Sequence, residues 1–436
     1  MNKYPAFFVF FSVAACLFAG SVAIVFAQRP EDRPLTPAAP VTAEFRFDFG
    51  GDARASGMYS DERGHGFDFG SKVVRDGDCV TSAREGEPFF FSVKAPEGNY
   101  RVTVTLGDSQ GASETTVRAE AGRLMAADIA TARGASVTRV FCVNVRRPQL
   151  PPPPRNAPGG SAVHMFLPRE SESRNWDDKL TLEFNGRHPC VRAIEIVKDD
   201  ALPTLFVAGD STVADPRGGP GGNWPTQLCQ FLKPEIAVCN AASGGETGKS
   251  FITGYRFDKV LSQMKAGDFF LIQFGHNDSK PQWPQSYTEP GTTFKAYLRV
   301  FIEETRRRGA TPVLVTPMER RENKDTVGRW ARAMREVALA ENVPLIDQWT
   351  ESKKLWTALG PERVGTAFAD QTHLSNYGGY LLAKLMASGI RKNVPQLAPF
   401  IADDFMAMPP ESPEAPPAYL KQSPGQSSGQ SSGQNR

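Results

Sequence analysis

The sequence carries almost no excess of charge, because 50 lysines and arginines stand against 48 aspartates and glutamates in 436 residues. A nucleic-acid-binding domain usually shows a marked basic excess, so we expect no nucleic-acid partner. Cysteine is also scarce: there are six, and no two are spaced as Cys-x-x-Cys. That absence argues against a structural zinc site. We expect neither a metal ion nor a cofactor.

Five cysteines, an odd number, follow the N-terminal segment. Spacing alone does not assign disulfides among them. Cys229 and Cys239 lie in apolar segments, and we expect both to be buried free thiols.

The N-terminus resembles an export signal. Lys3 precedes an uncharged apolar stretch at 6–27, which ends in a small residue. This pattern predicts a secretory signal at 1–27 and a secreted or periplasmic bacterial protein. The stretch is also just long enough to span a bilayer, so an uncleaved membrane anchor is the alternative. A linker rich in proline and alanine follows at 28–42.

From residue 43 to 199 the apolar residues alternate, as at positions 100–106. Period-two patterns separated by turn residues predict an antiparallel, all-β sandwich domain. Trp176 and Tyr59 are candidates for stacking on a sugar, although each could equally belong to the core.

From residue 200 to 397 short apolar strands alternate with longer helical segments. The predicted strands lie at 205–208, 236–239, 269–274, 312–316 and 343–346. This alternation predicts an α/β domain whose mainly parallel sheet is covered by helices on both faces. Ligands bind at the carboxyl ends of the strands in such sheets. Residues 398–436 contain many Pro, Ser, Gly and Gln and are predicted to be a disordered tail.

Two segments suit nucleophilic catalysis by serine. Ser211 closely follows the first predicted strand, and His373 is one of only five histidines in the chain. A serine hydroxyl needs a base to take its proton, and the base needs a group that orients it. Asp370, three residues before His373, can curl back to accept a hydrogen bond from the imidazole. The three are therefore the candidate nucleophile, base and orienting carboxylate.

Two further residues follow the ends of predicted strands, as Ser211 does. The side-chain amide of Asn277 could donate to an oxyanion, together with the backbone N–H groups of Ser211 and Gly245. Taken alone, Asn277 and Gly245 could simply be turn residues.

Four segments carry a resemblance to a known family. They read Gly-Asp-Ser-Thr at 209–212, Asn-Ala-Ala-Ser-Gly-Gly at 240–245, Gly-His-Asn-Asp at 275–278 and Asp-Gln-Thr-His at 370–373. In this order they resemble the conserved blocks of the SGNH (GDSL-like) hydrolase superfamily, and most of all the rhamnogalacturonan acetylesterase group. The resemblance implies a flavodoxin-like α/β/α three-layer domain. It also implies the triad and the oxyanion hole proposed above.

The same resemblance implies a substrate and a role for the N-terminal region. The implied reaction removes O-acetyl groups from plant cell-wall polysaccharide, with rhamnogalacturonan or pectin as the expected substrate. Some bacterial relatives carry a galactose-binding-like module at the position of residues 43–199. After Gly245 the chain has Glu246 and Thr247, where relatives often carry Arg-Ser. We therefore expect the wall of the substrate pocket, and with it the sugar specificity, to differ from that of these relatives.

Two other functions stay open. The chain could be an SGNH esterase or lipase that acts on other acyl esters, or a non-catalytic carbohydrate-binding protein. Trp283 and Tyr287 could stack on sugar or line an acyl pocket. Arg320 and Arg321 could pair with the carboxylate of a uronic acid. The expected partner is an acetylated polysaccharide or oligosaccharide, with a membrane involved only if the N-terminal segment is uncleaved.

Overall fold

The computed structural model describes residues 44–51, 57–153, 155–165, 174–215 and 222–421. The predicted signal and linker lie outside these ranges. Within them, no helix is both long and apolar enough to cross a bilayer. Residues Thr42–Arg436 group into one compact unit, so the proposed domain boundary near residue 199 stays a prediction.

The described chain before residue 199 consists mainly of strands and turns. These strands are β1 (Glu44–Asp48), β2 (His65–Asp68), β3 (Val73–Asp76), β4 (Cys79–Ser82), β5 (Phe89–Lys94), β6 (Gly98–Leu106), β7 (Ser113–Ala119), β8 (Arg123–Thr131), β9 (Val137–Val145), β10 (Lys179–His188) and β11 (Val191–Lys198). They form two antiparallel sheets. One has the order β3-β4-β11-β6-β9 with β1 beside β11, and the other has the order β2-β5-β10-β7-β8.

Both sheets contribute to one hydrophobic core. Val102 and Val104 of β6 lie in it with Phe91 of β5 and Leu182 of β10. Residues two apart on a strand share a face, which is why the alternating sequence pattern marks these strands. The prediction of an all-β N-terminal region is confirmed, whereas its likeness to galactose-binding modules stays a prediction.

The rest of the chain alternates strands and helices. The strands are β12 (Thr204–Gly209), β13 (Ala237–Asn240), β14 (Phe269–Gln273), β15 (Thr311–Val315) and β16 (Leu345–Ile346). The helices are α1 (Trp224–Leu228), α2 (Gly248–Thr253), α3 (Arg256–Gln263), α4 (Thr293–Arg307), α5 (Gly328–Ala340), α6 (Gln348–Arg363), α7 (Asn376–Asn393) and α8 (Ala418–Lys421). Gly360, with φ 68°, interrupts α6 near its end.

All strand pairs in this third sheet are parallel, in the order β13-β12-β14-β15-β16. Counted along the chain this order is 2-1-3-4-5, that of flavodoxin-like folds. Leu205 and Val207 pack into the layer that contains α1 and α7. Phe206 and Ala208 point to the opposite face, toward the layer of α3, α4 and α5. The predicted three-layer α/β/α architecture is confirmed.

Buried arginines join the β-rich region to the parallel sheet. Arg123 of β8 donates to Val238 O at 3.0 Å and pairs with Asp215 at 3.1 Å. Both charged side chains of this pair are almost fully buried. Trp176, a candidate for sugar stacking, is buried under the guanidinium of Arg146, 4.5 Å from its ring centre. Trp176 is therefore a core residue of this junction.

The C-terminal segment is packed well beyond residue 398. Phe405, Met408 and Tyr419 are buried, and Tyr419 Oη donates to Gln230 Oε1 at 3.2 Å. The predicted disordered tail is therefore wrong for residues 398–421, because scattered large apolar side chains among the prolines find contacts on the α/β layers. Residues 422–436 lie outside the described ranges.

Candidate active site

The carboxyl ends of the parallel strands converge on one cavity. Ser211 follows β12, Gly245 follows β13 and Asn277 follows β14. These three residues, with Asp370 and His373, line a cavity of about 720 Å³. Parallel strands end at the same edge of a sheet, so segments far apart in sequence meet here.

Ser211, His373 and Asp370 form one hydrogen-bonded chain. His373 Nε2 is 2.9 Å from Ser211 Oγ. His373 Nδ1 is 2.7 Å from Asp370 Oδ2. With Nδ1–H donating to the carboxylate, Nε2 is left to accept the serine proton. This is the arrangement that makes a serine hydroxyl nucleophilic.

A tight turn before α7 holds the acid and the base together. Ala369 N donates to His373 O at 2.8 Å, and Asp370 Oδ1 accepts the N–H groups of Thr372 and His373, each at 2.7 Å. Partial burial raises the pKa of Asp370, but the hydrogen bonds from His373 and Thr372 outweigh it, and the pKa lies below its ordinary value. Asp370 is therefore ionised near neutral pH and can stabilise an imidazolium.

A buried Asp–His pair lies beside the serine. Asp210 Oδ1 accepts from Thr212 N at 2.9 Å and from Thr212 Oγ1 at 2.8 Å. Its other oxygen is 3.4 Å from His276 Nδ1, and both side chains are almost fully buried. Burial raises the pKa of Asp210, but His276 and Thr212 together lower it below its ordinary value. The sequence analysis missed these contacts, although Asp210 and His276 stand inside the recognised segments.

Candidate oxyanion donors surround the space next to Ser211. Among the described residues, the backbone N–H groups of Ser211 and Gly245 have no hydrogen-bond partner. Gly245 is exposed and has φ +90°, which L residues rarely adopt, so glycine keeps this N–H in place. Asn277 Nδ2 donates to Glu246 O at 3.0 Å, which leaves its second N–H for a ligand.

A lysine fixes the orientation of that amide. Lys280 Nζ donates to Asn277 Oδ1 at 2.7 Å. An ammonium group has no acceptor, so the amide oxygen must face Lys280. The amide nitrogen then faces the backbone of Glu246 and the cavity. Sequence reasoning missed Lys280, because nothing in its neighbourhood marks it apart from its place after the Gly-His-Asn-Asp segment.

The four residues predicted to bind substrate do not all reach the cavity. Trp283 lines it and is 51% exposed. Arg320 lines it too, held by Nε donating to Thr372 Oγ1 at 3.2 Å. Burial lowers the pKa of Arg320 below its ordinary value. Tyr287 packs on Trp330 and Arg321 lies toward Gly365, and neither lines the cavity in the part of the chain described.

The departure from the family pattern after Gly245 has a structural role. Glu246 is buried, and its carboxylate is 3.3 Å from the guanidinium of Arg256. Thr247 is the N-cap residue of α2, and its hydroxyl accepts a hydrogen bond from Ser250 N at 3.0 Å. Both side chains point into the protein, so they do not form the pocket wall.

Comparison with known proteins gives a consistent result. The sequence model of the GDSL-like Lipase/Acylhydrolase family matches residues 207–379. Rhamnogalacturonan acetylesterase RhgT of Bacillus subtilis is 36% identical over 211 residues, covering 43% of this chain and 89% of that protein. A rhamnogalacturonan acetylesterase of Emericella nidulans is 25% identical over 46% of this chain and 92% of its own length.

A third relative spans the N-terminal region as well. It is the uncharacterized esterase YxiM of Bacillus subtilis, 27% identical over 383 residues, 80% of this chain and 91% of that protein. The fold, the four segments and these relatives agree. The chain belongs to the GDSL-like, or SGNH, hydrolase family and is an ester hydrolase.

Proposed function

We propose that the protein is a secreted serine carbohydrate esterase that removes O-acetyl groups from plant cell-wall polysaccharide, with rhamnogalacturonan or pectin as its substrate. The observation that carries the proposal is the 2.9 Å contact between His373 Nε2 and Ser211 Oγ. A non-catalytic binding protein would not need this contact or the ionised Asp370 behind it.

In the acylation step Ser211 Oγ attacks the acetyl carbonyl carbon while its proton passes to His373 Nε2. The carbonyl oxygen becomes an oxyanion, which accepts hydrogen bonds from Ser211 N, Gly245 N and Asn277 Nδ2. The intermediate collapses by breaking the ester C–O bond. The sugar oxygen takes the proton from His373 and leaves as an alcohol.

Deacylation reverses these roles. A water molecule gives a proton to His373 Nε2 and attacks the acetyl-Ser211 carbonyl carbon. The second tetrahedral intermediate collapses to acetic acid as the proton returns from His373 to Ser211 Oγ, and the acid then releases its own proton to solvent to give acetate. The Asp370 carboxylate stabilises the imidazolium in both halves without taking the proton itself.

The character of the cavity favours a sugar over a long acyl chain. Most of the residues that line it have polar or charged side chains, and Lys280 and Arg320 supply two cations beside the exposed ring of Trp283. An aromatic ring can stack on a sugar face, and the arginine can pair with a uronic-acid carboxylate. A pocket for a fatty acyl chain would instead be lined by apolar side chains. The names of two relatives, both rhamnogalacturonan acetylesterases, support the same substrate class.

The test is acetate release from acetylated rhamnogalacturonan, homogalacturonan, xylan and mannan, with p-nitrophenyl acetate and a long-chain p-nitrophenyl ester for comparison. The proposal expects the highest kcat/KM on an acidic pectic substrate. Arg320→Gln should lower that value more than the value for the neutral p-nitrophenyl acetate. Preference for the long-chain ester would support a lipase instead.

Secretion rests on the sequence of residues 1–27 alone. Fractionation of the bacterial host, with the mature N-terminus determined by mass spectrometry, tests both export and cleavage. A full-length protein in the membrane fraction would favour the uncleaved anchor.

A further inference from the structure

We propose that Cys79, Asp108, His188 and Cys190 form a binding site for a soft divalent metal ion such as Zn²⁺, within the β-rich region. Two thiolates, one imidazole and one carboxylate are a donor set that suits tetrahedral zinc. Cys190, His188 and Asp108 offer ligand atoms that all lie within 4.8 Å of one another. Val80 of β4 pairs with Val191 of β11, which places the buried Cys79 on the same face of the sheet as Cys190 and adds the fourth donor.

The four donors come from three separate segments of the chain. Cys79 begins β4, and Asp108 follows β6. His188 ends β10, and Cys190 lies just before β11. The absence of Cys-x-x-Cys led to the expectation of no structural zinc site. Sheet pairing brings the donors together instead, which a search for local motifs cannot detect.

Backbone hydrogen bonds hold two of the donors in place. Gly107 N donates to Cys190 O at 3.1 Å, which ties the turn carrying Asp108 to Cys190. Asp108 Oδ1 accepts from Gln110 N at 2.8 Å. Asp108, Cys79 and Cys190 are almost fully buried. These three donors are therefore held inside the protein before any ion binds.

His188 is the movable donor. Its side chain is 41% exposed, and its Nε2 is 3.6 Å from Asp76 Oδ2. A histidine bound to a metal through one ring nitrogen typically donates from the other to a carboxylate, and Asp76 is placed to accept. Donors around tetrahedral zinc are about 3.3–3.8 Å apart, so the cluster must close by about 1 Å. Rotation of the half-exposed imidazole can supply that movement.

One of the four donors faces a cavity that is open to solvent. His188 lines a surface cavity of about 390 Å³ together with Thr81 and Arg187. Arg187 pairs with Glu114 at 2.6 Å, so its charge is compensated. Binding would convert the two thiols to thiolates and release their two protons to solvent.

The test uses tag-free full-length protein, reduced with a phosphine and freed of metal. Titration with Zn²⁺ should show one equivalent bound, and Co²⁺ should give thiolate-to-cobalt charge-transfer absorption. Cys190→Ser should lose at least half of that absorption, because only the Cys79 thiolate remains. His188→Ala, at a half-exposed position that should tolerate the change, should bind Zn²⁺ at least about 10–100-fold more weakly.

Cys142→Ser is the matched control, because Cys142 is also a buried strand cysteine but packs with Leu202 and Ala237. It should keep wild-type binding. No Zn²⁺ bound by the reduced wild type would overturn the proposal, as would equal losses in Cys142→Ser and Cys190→Ser. If the reduced protein binds no metal and mass spectrometry of the untreated protein shows a Cys79–Cys190 disulfide, the two thiols are a covalent pair instead.

Discussion

His373 Nδ1 lies 2.7 Å from Asp370 Oδ2, and the two residues are only three positions apart in the chain. The turn that makes this possible is stabilised by the same carboxylate, since Asp370 Oδ1 accepts two backbone N–H groups. One side chain therefore both shapes the loop and orients the base.

Asp370→Asn should reduce kcat on the order of 10³–10⁴-fold, because an amide can hold the imidazole in the wrong tautomer and cannot stabilise its cation. The measurement is steady-state hydrolysis of p-nitrophenyl acetate. Asp403→Asn, at a highly exposed aspartate paired with Lys233, is the control and should keep wild-type kcat. A loss below tenfold in Asp370→Asn would show that Asp370 does not orient the base.

Asn277→Ala should lower kcat by about 10²–10³-fold with a smaller effect on KM, because the amide N–H contacts the oxyanion chiefly in the transition state. Stopped-flow or steady-state kinetics on the same ester measures both constants. Asn393→Ala, which removes a structural amide that donates to Leu345 O, is the matched control. If KM rises and kcat does not change, Asn277 binds the ground state only.

Lys280→Met should lower kcat about tenfold, equivalent to about 1.4 kcal/mol of transition-state stabilisation. The reason is that the Asn277 amide loses the donor that fixes its orientation. Lys280→Arg should recover much of the rate, and Lys324→Met, at an exposed lysine, should have no effect. A decrease in binding of acidic substrate with unchanged kcat on p-nitrophenyl acetate would assign Lys280 to substrate recognition alone.

Asp278→Asn should change how stability depends on pH. Burial raises the pKa of Asp278 from 3.8 to about 7. Between pH 4 and 7 the folded protein keeps a proton that the unfolded chain has released. The wild-type free energy of unfolding therefore falls with rising pH, by up to about 1.4 kcal/mol per unit from this group.

Asparagine does not titrate, so the stability of Asp278→Asn relative to wild type should rise from pH 5 to 7 and level off above 7. Urea unfolding at pH 5, 6, 7 and 8 measures the difference, with Asp258→Asn as an exposed control. Parallel curves for Asp278→Asn and wild type would mean that Asp278 is ionised in the folded protein.

The sequence predicted the parallel sheet and the meeting of Ser211, Gly245 and Asn277, because short apolar strands alternate with helices and active sites form at strand ends. The triad was predictable from local spacing, since three residues suffice for the Asp370–His373 turn. The conformation of the loop between β14 and α4 was not predictable. Nothing in the sequence distinguishes Trp283, which lines the cavity, from Tyr287, which packs on Trp330. The buried pair of Asp210 and His276 depends on strand ends that are 66 positions apart in the chain.

The C-terminal segment shows that amino-acid composition alone did not predict which residues are ordered. Its prolines and glycines predicted disorder, but Phe405 and Tyr419 are enough to pack residues up to 421. The cluster around Cys190 shows the limit of local motifs, because Cys79 and Asp108 join His188 and Cys190 only through the folding of the sheet.

The most direct test of the serine mechanism is the rate of acetate release by Ser211→Ala compared with wild type, at equal concentration and with matched thermal unfolding midpoints. Removal of Oγ deletes the nucleophile that His373 Nε2 contacts at 2.9 Å. We expect release from p-nitrophenyl acetate and from acetylated pectin to fall to the uncatalysed background. Hydrolysis by Ser211→Ala at the wild-type rate would contradict the assignment.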